Sequence, residues 1–138
     1  MEELISKVSE FMKASGQDIR AHETDNFEHF CEHFDLINLY QRLVVEENAE
    51  VTQAFIVGHD RENELKEICD LIWVLIGYTY LQGYDLSGAF NEVYRSNMSK
   101  IDPNTGVVIK NNQGKVIKPP TYSPANMSDF IVITENVQ

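Results

Sequence analysis

The sequence predicts an all-α fold: a four-helix-bundle-like core of antiparallel helices, followed by a C-terminal β-hairpin and an extended tail. Three observations predict it. Apolar residues recur at helical spacing through most of positions 1–100. The connections after Gly58 and Gly83 are short, which makes neighbouring helices antiparallel. After Pro103 and Gly106 the helical pattern stops, and two β-rich runs flank the turn-forming residues Asn111 to Gly114.

The first helix is expected over residues 2–14, where Leu4, Ile5, Val8, Phe11 and Met12 form one stripe and Gly16 follows as a stop. Residues 16–34 are more polar. Thr24 or Asp25 would cap a short helix over 26–33, and Phe27, Phe30 and Phe34 would close one end of the core. A long helix over 35–57 carries Leu36, Leu39, Tyr40, Leu43, Val44, Val51 and Ala54 on its apolar face and ends at Gly58. Asp60 caps the next helix, 61–82, which ends near Gly83. Asp85 caps the last, 86–99, with Leu86, Ala89, Phe90, Val93, Tyr94 and Met98 as its stripe. Gly77 permits close contact between helices. Beyond residue 100, VVIKNNQGKVIK reads as the hairpin. PPTYSP must lie extended against something, since Tyr122 is a poor residue to leave in water, and FIVIT is a candidate strand. Residues 1–100 are thus one helical domain. Residues 101–138 belong to the same domain or to a subunit interface.

A chain of 138 residues is the size of one domain. Its formal charge of −11 lies entirely in residues 1–100, with 19 acids against 8 bases, while residues 101–138 hold three of each. That balance argues against binding polymeric nucleic acid, whose partners present basic surfaces. The apolar run LIWVLIGYTYL, 11 residues, is too short to span a bilayer, and the acidic N-terminus lacks the order of a secretion signal. A cytoplasmic location is expected, with no membrane partner. Cys31 and Cys69 read as reduced thiols in or near the core. His29 and His33 share a helical face without a matching third ligand and read as core edge or surface. Trp73, Tyr78 and Tyr80 read as packing residues.

Two acid pairs carry the chemistry. Glu47 and Glu50 are three residues apart, as are Glu67 and Asp70, so each pair shares a helix face. Asp70 opens a strongly apolar stretch in which an ionised carboxylate needs a partner. If the two long helices pack antiparallel, the pairs meet across their interface, and a hard divalent cation, Mg²⁺ or Mn²⁺, resolves the repulsion. A solvated helix face is the competing reading for Glu47 and Glu50 taken alone. A di-iron centre is disfavoured because neither Glu47 nor Glu67 has a histidine three residues on.

These residues resemble the signature of the all-α nucleoside triphosphate pyrophosphohydrolases, the superfamily of MazG-like and phosphoribosyl-ATP pyrophosphohydrolase proteins. EENAE at 46–50 and EICD at 67–70 match its two acidic motifs, Arg42 matches its lead-in, and SNMSK at 96–100 matches its closing motif. NQGKVIKPPTY resembles the tail of a phage and bacterial subgroup, in which case the location is a host cytoplasm. The resemblance implies Mg²⁺ ligation by Glu47, Glu50, Glu67 and Asp70. It also implies that Glu46 holds or deprotonates the attacking water, and that Arg42, Asn97 and Lys100 meet the substrate. Glu46, Glu47 and Lys100 are the catalytic candidates. It implies a homodimer or homotetramer as well.

The expected reaction is cleavage of the α–β phosphoanhydride of a nucleoside triphosphate to a monophosphate and pyrophosphate. Phosphoribosyl-ATP hydrolysis is a narrower alternative, and a non-catalytic nucleotide- or metal-binding oligomer is another. Taken singly, the residues also have plainer readings: Lys100 as a solvated helix end, Asn97 as a surface cap, and Arg42 as a surface partner of Glu46.

Overall fold

The structure, a computed structural model, describes residues 1–19, 26–58 and 60–131. They contain five α-helices: α1 (Glu2–Ala14), α2 (Asn26–Glu32), α3 (Phe34–Val57), α4 (Arg61–Leu81) and α5 (Leu86–Met98). The all-α expectation holds, and each helix boundary falls within a residue or so of its predicted place. The described chain forms two compact units, one over Met1–Leu86 and one over Ser87–Ile131.

In the first unit, α3 and α4 pair along their lengths and α1 packs on α4. Their register can be read from two contacts. A Cβ at Gly77 would lie 2.5 Å from the Tyr40 ring, so α3 and α4 touch there. Ten residues further along α3, a carboxylate oxygen of Glu50 lies within 4.8 Å of one of Glu67, ten residues back along α4. The two helices are therefore antiparallel. Asp60 caps α4 by accepting the Asn63 N–H at 3.0 Å. Gly58 ends α3 at φ 65°, a backbone that other L-residues rarely adopt.

The core gathers where α1 meets the start of α3 and the end of α4. Val8, Met12, Ile37, Tyr40, Ile76, Tyr80 and Leu81 form it. Its tyrosines satisfy their hydroxyls at the edge: Tyr40 donates to Gln17 Oε1 at 2.8 Å and Tyr80 to Asp18 Oδ1 at 2.7 Å. His29 is buried with Nε2 3.2 Å from the Leu81 carbonyl, so the core-edge reading of it holds. The three phenylalanines of residues 27–34 close the core less fully than expected. Phe30 packs against it and meets Phe34 edge-on, but Phe27 and Phe34 are largely exposed. Cys31 and Cys69 are both exposed, so neither is a core thiol. Cys69 lies inside an apolar run, yet the α3-facing side of α4 belongs to its neighbours Glu67, Val74 and Gly77. Thr24, Asp25 and His22 lie outside the described residues.

The second unit corrects the predicted C-terminal β-hairpin. No β-strand exists among the described residues. Two isolated antiparallel bridges stand in its place, Ile101–Val108 and Lys110–Val116. The first β-rich run is divided between two partners, since Val108 pairs backward and Lys110 forward, and no ladder of consecutive residues develops. Val107, Ile109, Val116 and Ile117 are also exposed, so no buried face fixes a register. FIVIT does not begin as a strand: Phe130 closes a 3₁₀ turn, Ser128–Phe130, and residues 132–134 lie outside the described residues.

Side chains of α5 hold the extended tail instead. Ser99 Oγ accepts the Ser123 N–H at 2.9 Å. Glu92 is gripped by Arg95 through two bonds of 2.7 and 2.8 Å and accepts the Asn126 N–H at 3.0 Å. Arg95 in turn donates to the Pro124 carbonyl at 3.1 Å. Tyr122 is half-buried beneath the Lys118 ammonium, 4.6 Å from its ring centre, which meets the expectation that it would not stand in open water.

Two outcomes follow. Gly77→Ala adds a methyl against a ring that is buried and hydrogen-bonded. Overpacking outweighs the gain in helix propensity, for a net loss of roughly 1–2 kcal/mol, measurable by urea denaturation. Arg95, and then the Asn126 N–H, lower the Glu92 pKa from 4.5 to about 2. Its hold on the tail is complete above pH 4.5 and lost as pH falls towards 2. Amide exchange of residues 123–127 is expected to accelerate in that window, and Glu92→Ala to remove the transition.

Candidate metal centre

Helix α3 presents Glu47 and Glu50 one turn apart, and α4 presents Glu67 opposite them. One carboxylate oxygen from each lies within 4.8 Å of the others. Oxygens on opposite sides of a six-coordinate Mg²⁺ are about 4.2 Å apart, so this spacing suits such an ion with little adjustment. The environment points the same way. Glu67 is buried, and Glu47 Oε2 is buried without a hydrogen-bond partner. A buried carboxylate oxygen left unpaired is costly, and a cation would satisfy it. Three carboxylates with no sulfur or imidazole are the donors that a hard divalent cation prefers. The residues therefore fit Mg²⁺ or Mn²⁺.

The protonation balance reflects the same crowding. Burial, and then the charge of Asp70, push the Glu47 carboxyl above its usual range. The hydrogen bond with Glu67, and then desolvation, do the same for Glu50.

Asp70 stands outside the three-glutamate cluster and is partly exposed. Lys66 reaches it at 2.8 Å and also reaches the two Glu67 oxygens at 3.2 and 3.3 Å. These contacts hold the Lys66 ammonium well above its ordinary pKa, the bond to Asp70 most strongly. Sequence reading missed this lysine. Its signal was present in ELKEICD, where Lys66 precedes one acid by one residue and the other by four.

Glu46 and Arg42 are exposed and line a different, shallow groove on α3 with Asn38, Gln41 and Val45. Asn97 and Lys100 belong to the second unit, where Lys100 donates to Asn97 Oδ1 at 2.7 Å. Glu50 and Glu67 also border a cleft of about 280 Å³ that runs past Gln53 and Val57 to Asp60 and Asn63.

The fold and donor set define an all-α protein with an acidic pocket suited to a divalent cation. Comparison with protein families makes this specific. The phosphoribosyl-ATP pyrophosphohydrolase family matches residues 8–97, and the chain belongs to it. Membership makes the protein a hydrolase of the pyrophosphohydrolase kind. No curated protein matches the chain. No helix among the described residues is long and apolar enough to cross a membrane.

Metal binding is expected to register as stability. Saturating Mg²⁺ should raise the melting temperature at pH 8 by roughly 3–10 °C. Protons compete for Glu47 and Glu50, whose pKa values are raised, so the increment should shrink as pH falls towards 5. Glu67→Gln should abolish it, as melts with and without Mg²⁺ at both pH values would record.

Proposed function

We propose that the protein is a Mg²⁺-dependent pyrophosphohydrolase that cleaves the α–β phosphoanhydride of phosphoribosyl-ATP, giving phosphoribosyl-AMP and pyrophosphate. The observation that carries this reading is the convergence of Glu47, Glu50 and Glu67 inside the region matched by the phosphoribosyl-ATP pyrophosphohydrolase family. That match favours phosphoribosyl-ATP over nucleoside triphosphates in general, which the motif resemblance alone had put first.

Glu47, Glu50 and Glu67 would hold the cation, with Asp70 at its margin. When bound, the ion supplies the positive charge that neutralises phosphate oxygens as the anhydride breaks. Without a counter-charge, these carboxylates would repel a polyphosphate. Glu46 is exposed and adjacent in sequence to Glu47. From the match of EENAE to the acidic motif, Glu46 is assigned to hold or deprotonate the attacking water. Arg42 shares a groove with Glu46 and offers a guanidinium fork for a phosphate. Asn97 and Lys100 are assigned to substrate contact on the strength of the SNMSK motif.

The working form we propose is a homo-oligomer. Val45, Phe55, Ile56 and Val57 of α3 and Leu65 of α4 are each more than 60% exposed in the single chain, an apolar surface that a second copy would cover. Light scattering should return at least a dimer.

The activity is tested by incubating the protein with Mg²⁺ and either phosphoribosyl-ATP or each nucleoside triphosphate, and measuring pyrophosphate. Phosphoribosyl-ATP should give the highest kcat/KM, and Glu67→Gln should lower kcat at least a hundredfold. A higher value for a triphosphate would transfer the substrate assignment to it. No pyrophosphate from any substrate would overturn the activity.

A further inference from the structure

We propose that the second unit carries a binding surface for a phosphate group, formed by Asn97, Lys100 and Lys118 around the ring of Tyr122. It deepens the substrate contact proposed above for Asn97 and Lys100 by adding Lys118 and Tyr122, to which no role has been given. Its binding test stands whether or not the proposed reaction is the right one.

This unit is basic within an acidic chain. Ser87–Ile131 holds five bases and three acids, although the net charge of the whole chain is −11. Arg95 is neutralised by Glu92. Among the described residues, neither Lys100 nor Lys118 is in an ion pair. Both reach one aromatic ring instead: Lys118 Nζ lies 4.6 Å from the Tyr122 ring centre and Lys100 Nζ 5.9 Å from it. Two ammoniums gathered without a carboxylate repel each other, and the face of a ring compensates them only in part. An anion completes the balance. Two positive charges match the double charge of a phosphate group, which also offers three acceptor oxygens, better than the single charge of a carboxylate.

The backbone holds these groups together. The Tyr122 N–H donates to the Pro119 carbonyl at 3.0 Å, and Pro120 and Pro124 restrict the chain on either side of it. The next N–H, that of Ser123, donates to Ser99 Oγ at 2.9 Å. Ser99 directly precedes Lys100, so one tie sets the ring beside the end of α5. Asn97 supplies direction. Lys100 Nζ donates to its Oδ1 at 2.7 Å. An ammonium only donates, so the amide oxygen must face Lys100, and the Asn97 Nδ2 is left with its N–H groups to offer. Asn97 and Lys118 are exposed and Lys100 is half-buried, which leaves the three donors open to a ligand from solvent. Charge-assisted N–H donors with no acid among them are the chemistry that recognises phosphate oxygens.

The test is calorimetric titration of inorganic pyrophosphate, in metal-free buffer of low ionic strength, into the wild-type chain, Lys118→Gln, Tyr122→Leu and Lys115→Gln. Lys115 is an exposed lysine of the same unit, so its loss makes the same change in net charge. Wild type should bind saturably. Lys118→Gln and Tyr122→Leu should bind roughly 3–10-fold more weakly, and Lys115→Gln should bind like wild type. Wild-type affinity in either of the first two variants, equal losses in Lys118→Gln and Lys115→Gln, or no saturable binding by wild type overturns the inference. Kinetics with phosphoribosyl-ATP and Mg²⁺ separate two sources of the bound group. If it belongs to the substrate, Lys118→Gln raises KM and leaves kcat near wild type. If it is a separate phosphate, KM is unchanged while pyrophosphate binding is still weakened. An inactive wild type that binds pyrophosphate through Lys118 overturns the proposed reaction and leaves this surface standing.

Discussion

Three glutamate oxygens held within 4.8 Å of one another, across the interface of two helices, are the constraint to which the rest of the first unit is fitted. Carboxylates at that spacing are not stable as three bare anions. The crowding shows in the carboxyls of Glu47 and Glu50, which are pushed above their usual range, and in Lys66, which reaches over Glu67 and Asp70. Three oxygen donors crowded in this way are suited to a hard divalent cation.

The helices keep this arrangement by separating strength from chemistry. The core, with Met12, Ile37 and Leu81 fully buried, lies at the end of the α3–α4 pair that α1 covers. The Tyr40–Gly77 contact sets register there. The glutamates lie ten residues away along both helices, close enough to inherit the register and outside the packed core. Strain from the acids therefore falls where the chain has little apolar burial to lose. The cleft beyond Glu50 and Glu67, reaching Asp60 and Asn63, opens in that same less-packed half.

The helical fold was legible because its signals are local. The stripe through Val8 and Met12, the Asp60 cap and the stop at Gly58 each act within a few residues, and the structure agrees with them. The acid cluster was legible for a related reason: spacing within a helix put Glu47 beside Glu50, and short connections made α3 and α4 antiparallel. What failed depended on partners distant in sequence or on which way a face turned. The hairpin was inferred from β-forming residues and a turn, yet strands need a buried face, and Val107 and Ile117 have none. Cys69 sits in an apolar run but on the outward side of α4. The place of Lys66 was hidden because the pull of several carboxylates on a flexible side chain appears only when two helices are brought together.

The central claim is that Glu47, Glu50 and Glu67 converge to bind one divalent ion. Anomalous diffraction from crystals grown with Mn²⁺ addresses it most directly. The account predicts a manganese peak bonded to oxygens of all three glutamates. A map without manganese there, from crystals grown at saturating Mn²⁺, would contradict it.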